Sequence, residues 1–122
     1  MLTEDYVSFE IAKLLKEKGF DKVDCQNSPH FAYNRDGQFS GPSWDTEYNA
    51  PTLQMAMKWL REKHLLHISI DMVNGGRWEY EIDDISCPFD GGILPKCYCE
   101  KSFSSYEEAC EVAIKYTLEN LI

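Results

Sequence analysis

Three groups of side chains in this sequence have types and spacings that could do chemistry. His64 and His67 stand three residues apart, with Asp71 four further on. Imidazoles and a carboxylate are zinc ligands, and one helical face would bring all three together. The pattern breaks that face. It is helical up to about Lys63 and alternates apolar with polar residues from His67 onward,. His67 and Asp71, an even number of positions apart, then share the solvent side of a strand. Cys97-Tyr98-Cys99 puts two thiols on one face of a strand, but a structural zinc needs four ligands and the Cys-x-x-Cys knuckle is absent,. Neighbouring same-face strand residues also make a poor disulfide. The third group is acidic: the pairs Glu79/Glu81 and Asp83/Asp84 suit general acid–base work, although exposed strand carboxylates are normally just solvated,.

A nucleophile needs a base within hydrogen-bond reach, and sequence order builds no Cys–His or Ser–His–Asp arrangement here. There is no Gly-x-Gly-x-x-Gly and no phosphate-binding lysine loop,. The residues therefore predict a protein that is not an enzyme, with no catalytic residue, no metal ligand and no cofactor. The acids have a sharper reading. Carboxylates at Glu79, Glu81 and Asp83 could imitate DNA phosphates and occupy a nuclease or repressor, provided they form one continuous stripe.

The elements that must position these groups follow from local signals. Ser8 can cap a first helix running to about Lys18, with Ile11, Leu14 and Leu15 on one face. Gly19 can take the left-handed conformation that ends it, and Phe20 can fold back on Leu15. Asp36-Gly37 closes a short hairpin from Phe31 to Phe39. Ser40 to Asn49 reads as a loop because it holds Gly41, Pro42, Ser43 and Asn49,. Pro51 and Thr52 start a second helix to about Lys63, with Leu53, Ala56, Met57 and Leu60 as its apolar stripe and Met55 and Trp59 beside it. Ile68, Ile70 and Met72 alternate on one strand. Asn74-Gly75-Gly76 turns the chain into a second, where Trp78, Tyr80 and Ile82 alternate with Glu79, Glu81 and Asp83,. That hairpin has one greasy face and one acidic face. A third strand follows at about Leu94 to Glu100. Ser105-Tyr106-Glu107-Glu108 is a capping box that opens the last helix, with Ala109, Val112, Ala113 and Tyr116 facing inward.

The predicted fold is α+β: a single two-layer domain in which three helices cover an antiparallel sheet made of a hairpin plus a three-stranded meander, in the order α-β-β-α-β-β-β-α. A chain of 122 residues suits one domain with one ordinary core,. No apolar run is long enough for a membrane helix. The acidic start, MLTEDYVSFE, lacks the features of a signal peptide, which places the protein in the cytoplasm,. Five cysteines, an odd number, fit reduced and buried thiols better than a disulfide scaffold,. A formal net charge of -9 argues against direct nucleic-acid binding,.

Three segments, YVSFEIAKLLKEKGFD, APTLQMAMKWLREKH and SYEEACEVAIKYTLENLI, resemble a family of small uncharacterised α+β proteins from gut anaerobic bacteria and their prophages or other mobile elements. That family has no established activity, so the resemblance carries over no catalytic residue. It implies a genomic context, an accessory protein of a phage or mobile element. The preferred function is accordingly binding to another protein. The expected partner surface is Trp44 and Tyr48 in the Ser40–Asn49 segment, since aromatic side chains dominate interface energy. The alternatives are the acidic DNA mimic built on Glu79, Glu81 and Asp83, and an enzyme or small-molecule-binding domain, which predicts a deep pocket with convergent polar groups. A homodimer through an exposed sheet edge stays open, because the sequence does not say which strand is the edge.

Overall fold

The computed structural model describes residues 5–20, 32–40, 46–86, 94–98 and 101–122. Its helices form where local caps predict them. Helix α1 (Phe9–Glu17) starts after Ser8, whose hydroxyl accepts from the Ile11 N–H. It ends where Gly19 takes a φ of 100° and the Phe20 N–H donates back to the Leu15 carbonyl at 2.9 Å,. Phe20 is then buried and meets Trp59 edge-on.

The chain next forms β1 (Ala32–Asn34), β2 (Phe39–Ser40) and β3 (Thr46–Asn49), a small antiparallel sheet in the order β2-β1-β3. Asn34 organises the β1–β2 turn: its side-chain oxygen accepts from the N–H groups of Asp36 and Gln38, both at 2.9 Å. Gly37 closes the turn at φ 86°, and a Cβ there would stand 3.0 Å from the Phe9 ring. The strand β3 corrects the expected loop from Ser40 to Asn49. It is held by non-local pairing with β1, Ala32 to Asn49 and Tyr33 to Tyr48, which its four residues do not advertise.

Helix α2 (Leu53–His64) is capped by Thr52, which accepts from the Met55 N–H at 3.1 Å. Strand β4 (Leu66–Val73) and strand β5 (Arg77–Asp84) pair in full register from Leu66–Asp84 to Val73–Arg77 around the Asn74-Gly75-Gly76 turn. Strand β6 (Leu94–Tyr98) lies antiparallel on the other side of β5, giving the order β4-β5-β6. Helix α3 (Tyr106–Asn120) is capped by Ser105, which accepts from the Glu108 N–H at 3.1 Å, while the Glu108 carboxylate accepts from the Ser104 hydroxyl.

The fold is thus mixed α+β, and the described residues form three helices and two small antiparallel sheets where one sheet was expected. The added strand also changes the element order. Helices α2 and α3 cover one face of the larger sheet, and α1 packs on α3 and on β3. The core joins Ile11 and Leu15 of α1, Leu53 and Leu60 of α2, Ile68 and Ile82 of the sheet, and Ile114 and Leu118 of α3. Burying each such side chain contributes roughly 1.5–3 kcal/mol. The inward stripe of α3 needs a second correction. Ala109 and Ala113 are fully buried as expected, but Val112 and Tyr116 each remain 36% exposed. Cys110, Ile114, Thr117 and Leu118 take the sheet side, which turns the helix by about one position from the expected phase,.

Candidate functional site

The larger sheet has two faces of opposite character, set by the register of β4 on β5. Ile68 and Ile70 stand opposite Ile82 and Tyr80 on the face that meets the helices, where Tyr80 and Ile82 are buried. The other face carries His67, Ser69, Asp71 and Val73 on β4 opposite Asp83, Glu81, Glu79 and Arg77 on β5. Successive same-face residues on a strand lie roughly 6.8 Å apart, and directly paired residues about 5 Å apart. Asp71, Glu79 and Glu81 therefore form one tight acidic patch over two strands. Asp71 is exposed, and Glu79 and Glu81 are half-buried. Asp71 lies on the solvent side of its strand as expected, but the sequence reading did not group it with Glu79 and Glu81. The three-residue turn fixes the register that sets it opposite Glu79, and that register was the available signal.

At one end of the patch, Arg77 turns away. Its Nε donates to the Ser102 hydroxyl at 2.6 Å and its Nη2 to the Ser102 carbonyl at 2.7 Å. At the other end Asp83 departs from the expected exposed stripe, with only 7% of its surface exposed. It sits on the central strand beside the point where the register with β6 shifts, between Ile82 and Asp83. Burial pushes its carboxyl above the usual range, Glu81 adds to the rise, and His67 opposes it. Asp84 stands on the opposite face and accepts from the Ser86 N–H at 2.9 Å, so Asp83 and Asp84 are not a working pair,.

The other candidate groups do not converge. His64 ends α2 with its ring 4.8 Å from Trp59, and burial, then the Lys18 charge, lowers its pKa. His67 and Asp71 share a strand face but are separated by roughly 13 Å of strand. Among the described residues, no three His, Cys, Asp or Glu side chains are placed to hold a metal ion. Cys97 stands opposite Ile82 in the strand register, and Cys25, Cys87 and Cys99 lie outside the described residues. Cys110 is buried and free. Burial pushes its thiol up to about 11 despite a hydrogen bond with Tyr106, which keeps it protonated and unreactive at neutral pH.

Of the expected aromatic surface, Trp44 lies outside the described residues. Tyr48 is half-buried against the core. Its ring meets Phe9 edge-on at 5.5 Å, and the Lys16 ammonium sits 4.9 Å from its centroid. Tyr48 therefore helps close the seam between β3 and α1. No described helix is long and apolar enough to cross a membrane. Comparison with protein-family models, with curated proteins and with solved structures gives no match.

Proposed function

We propose that this chain is a non-enzymatic binding protein, an accessory of a phage or mobile element, whose acidic sheet face docks on a basic surface of a partner protein. The observation that carries this reading is the patch of Asp71, Glu79 and Glu81 on the sheet face turned away from the helices. Carboxylates on a rigid two-strand platform are preorganised. A chain of net charge -9 adds a long-range field that steers cationic partners toward it,.

A DNA mimic is the narrower form of the same idea. It needs a continuous line of phosphate-like charges, and the line on β5 runs through Glu79 and Glu81 and then meets the buried Asp83. This favours a basic protein surface in general over a groove spaced for phosphates. The test compares the unsubstituted chain with the variant Glu79→Lys/Glu81→Lys as affinity baits in lysates of uninfected and prophage-induced cells. The proposal expects a protein that the unsubstituted bait retains, the variant loses and salt elutes. Identical captures by both baits would refute it.

A further inference from the structure

Strand β4 is an edge of its sheet, because β5 takes β6 on its far side and no described strand pairs with the outer edge of β4. The hydrogen-bond phase of that edge can be read. The Ile85 N–H donates to the Leu65 carbonyl at 3.0 Å, one bond of the β4–β5 ladder that sets its phase, while the Leu65 N–H caps α2 at the Leu60 carbonyl. Alternation then makes His67–Asp83, Ser69–Glu81 and Asp71–Glu79 the bonded pairs,. The reciprocal bonds of Trp78 with Phe103, at 2.9 and 2.7 Å on the opposite side of β5, have the same phase. Leu66, Ile68, Ile70 and Met72 therefore aim their N–H and C=O groups outward, along an edge eight residues long with which no described strand pairs. An edge of that length is a template for another strand.

From this edge we infer that the chain forms a two-fold dimer by antiparallel pairing of β4 with β4 of a second copy, centred on Ser69. Only an even register matches outward groups to outward groups, and the register about Ser69 sets complementary side chains opposite one another. On the helix-covered face, Leu66 meets Met72 of the second copy and Ile68 meets Ile70. On the acidic face, His67 meets Asp71 and Ser69 meets Ser69. A shift of two residues either way sets Ser69 opposite His67 or Asp71 and loses the imidazole–carboxylate pairs.

Two features of the single chain gain from this arrangement. Asp71 stands directly across from Glu79, a like-charge pair that costs stability in an isolated hairpin,. In the dimer Asp71 also faces an imidazole. Met72 is 67% exposed and Leu65 is 43% exposed, so both ends of β4 present apolar surface. Leu65 moreover holds a φ of 56°, a conformation that favours glycine or asparagine, yet it keeps a large apolar side chain,. Self-pairing covers Met72. It joins two three-stranded sheets into a six-stranded one and brings both acidic patches onto one continuous face.

The test measures the oligomeric state of the full chain by sedimentation equilibrium, together with three variants. Ser69→Lys places two ammonium groups face to face on the two-fold axis but opposite Glu81 within each chain. It is expected to weaken self-association on the order of a hundredfold while leaving the melting temperature of the dilute, monomeric chain unchanged or higher. Ser69→Cys juxtaposes two thiols in a non-bonded pair, with Cα atoms about 4.5 Å apart and within disulfide reach. Mild oxidation should give a reducible dimer well beyond that of the unsubstituted chain. Asp71→Cys, which faces His67 and not itself, should not. A chain that stays monomeric at its highest soluble concentration would overturn the inference. So would a dimer that persists in Ser69→Lys, or one that cross-links equally well through Asp71→Cys.

Discussion

Burial of Asp83 raises its carboxyl above the ordinary range, with Glu81 adding to the rise and His67 opposing it. A folded-state value above the unfolded one means that the folded chain holds this proton more tightly. The stabilisation from that proton is complete below the unfolded value of about 3.8 and is lost as pH rises through the folded value,. Above the folded value the group is a buried charge that costs stability. Asp83→Asn should raise the melting temperature at neutral pH, and the advantage should shrink as the pH is lowered toward the unfolded value. Thermal melts of both proteins across that range check it; a variant less stable at neutral pH would mean that the His67 contact outweighs burial. Cys110 gives the matching case for a thiol. Pushed up to about 11 and fully buried, it should resist alkylation in the native state and become modified only as fast as the chain unfolds,. Peptide-resolved mass spectrometry separates it from the other cysteines, and rapid native labelling at Cys110 would contradict the burial.

At the scale of elements, the caps hold the helices and the turns hold the strands. Removing the Ser105 hydroxyl leaves an N–H at the start of α3 without its acceptor, so Ser105→Ala should cost about 1 kcal/mol in denaturant unfolding,. Gly37→Ala should cost more, on the order of 1–3 kcal/mol, because it forces a side chain into positive φ and against the Phe9 ring,. These features were legible in the sequence because they are local: Ser8, Thr52 and Ser105 each accept from the residue three positions on. The β4–β5 hairpin was legible through its alternation and the Asn-Gly-Gly turn. Strand β3 was not, since only its distant partner β1 makes four mostly polar residues a strand. The phase of α3 was ambiguous because apolar residues occupy two overlapping stripes, and only the position of the sheet chooses Ile114 and Leu118 over Val112 and Tyr116. The acidic face was half legible. Alternation put Glu79, Glu81 and Asp83 together, but neither the burial of Asp83 nor the arrival of Asp71 from β4 follows from β5 alone.

At the scale of the whole molecule, a net charge of -9 acts differently on the two proposed contacts. A basic partner is drawn to the chain by that charge, and the attraction fades as salt shortens the Debye length from roughly 14 Å at about 0.05 M to roughly 4 Å at about 0.5 M. A second copy is repelled by the same charge. The forces that join two β4 edges are short-ranged: backbone hydrogen bonds, the apolar pairs of Leu66 with Met72 and of Ile68 with Ile70, and a close imidazole–carboxylate contact. Salt screens the long-range repulsion between copies more than it weakens these contacts. Raising sodium chloride across this range should therefore strengthen self-association by several-fold and weaken binding to a basic partner by about tenfold or more. Sedimentation equilibrium measures the first and titration against the captured partner the second. Self-association that weakens with salt would assign the dimer to ion pairs and not to paired strand edges. Partner binding indifferent to salt would remove the carboxylates Asp71, Glu79 and Glu81 from that contact and leave its apolar surfaces as the remaining source of affinity.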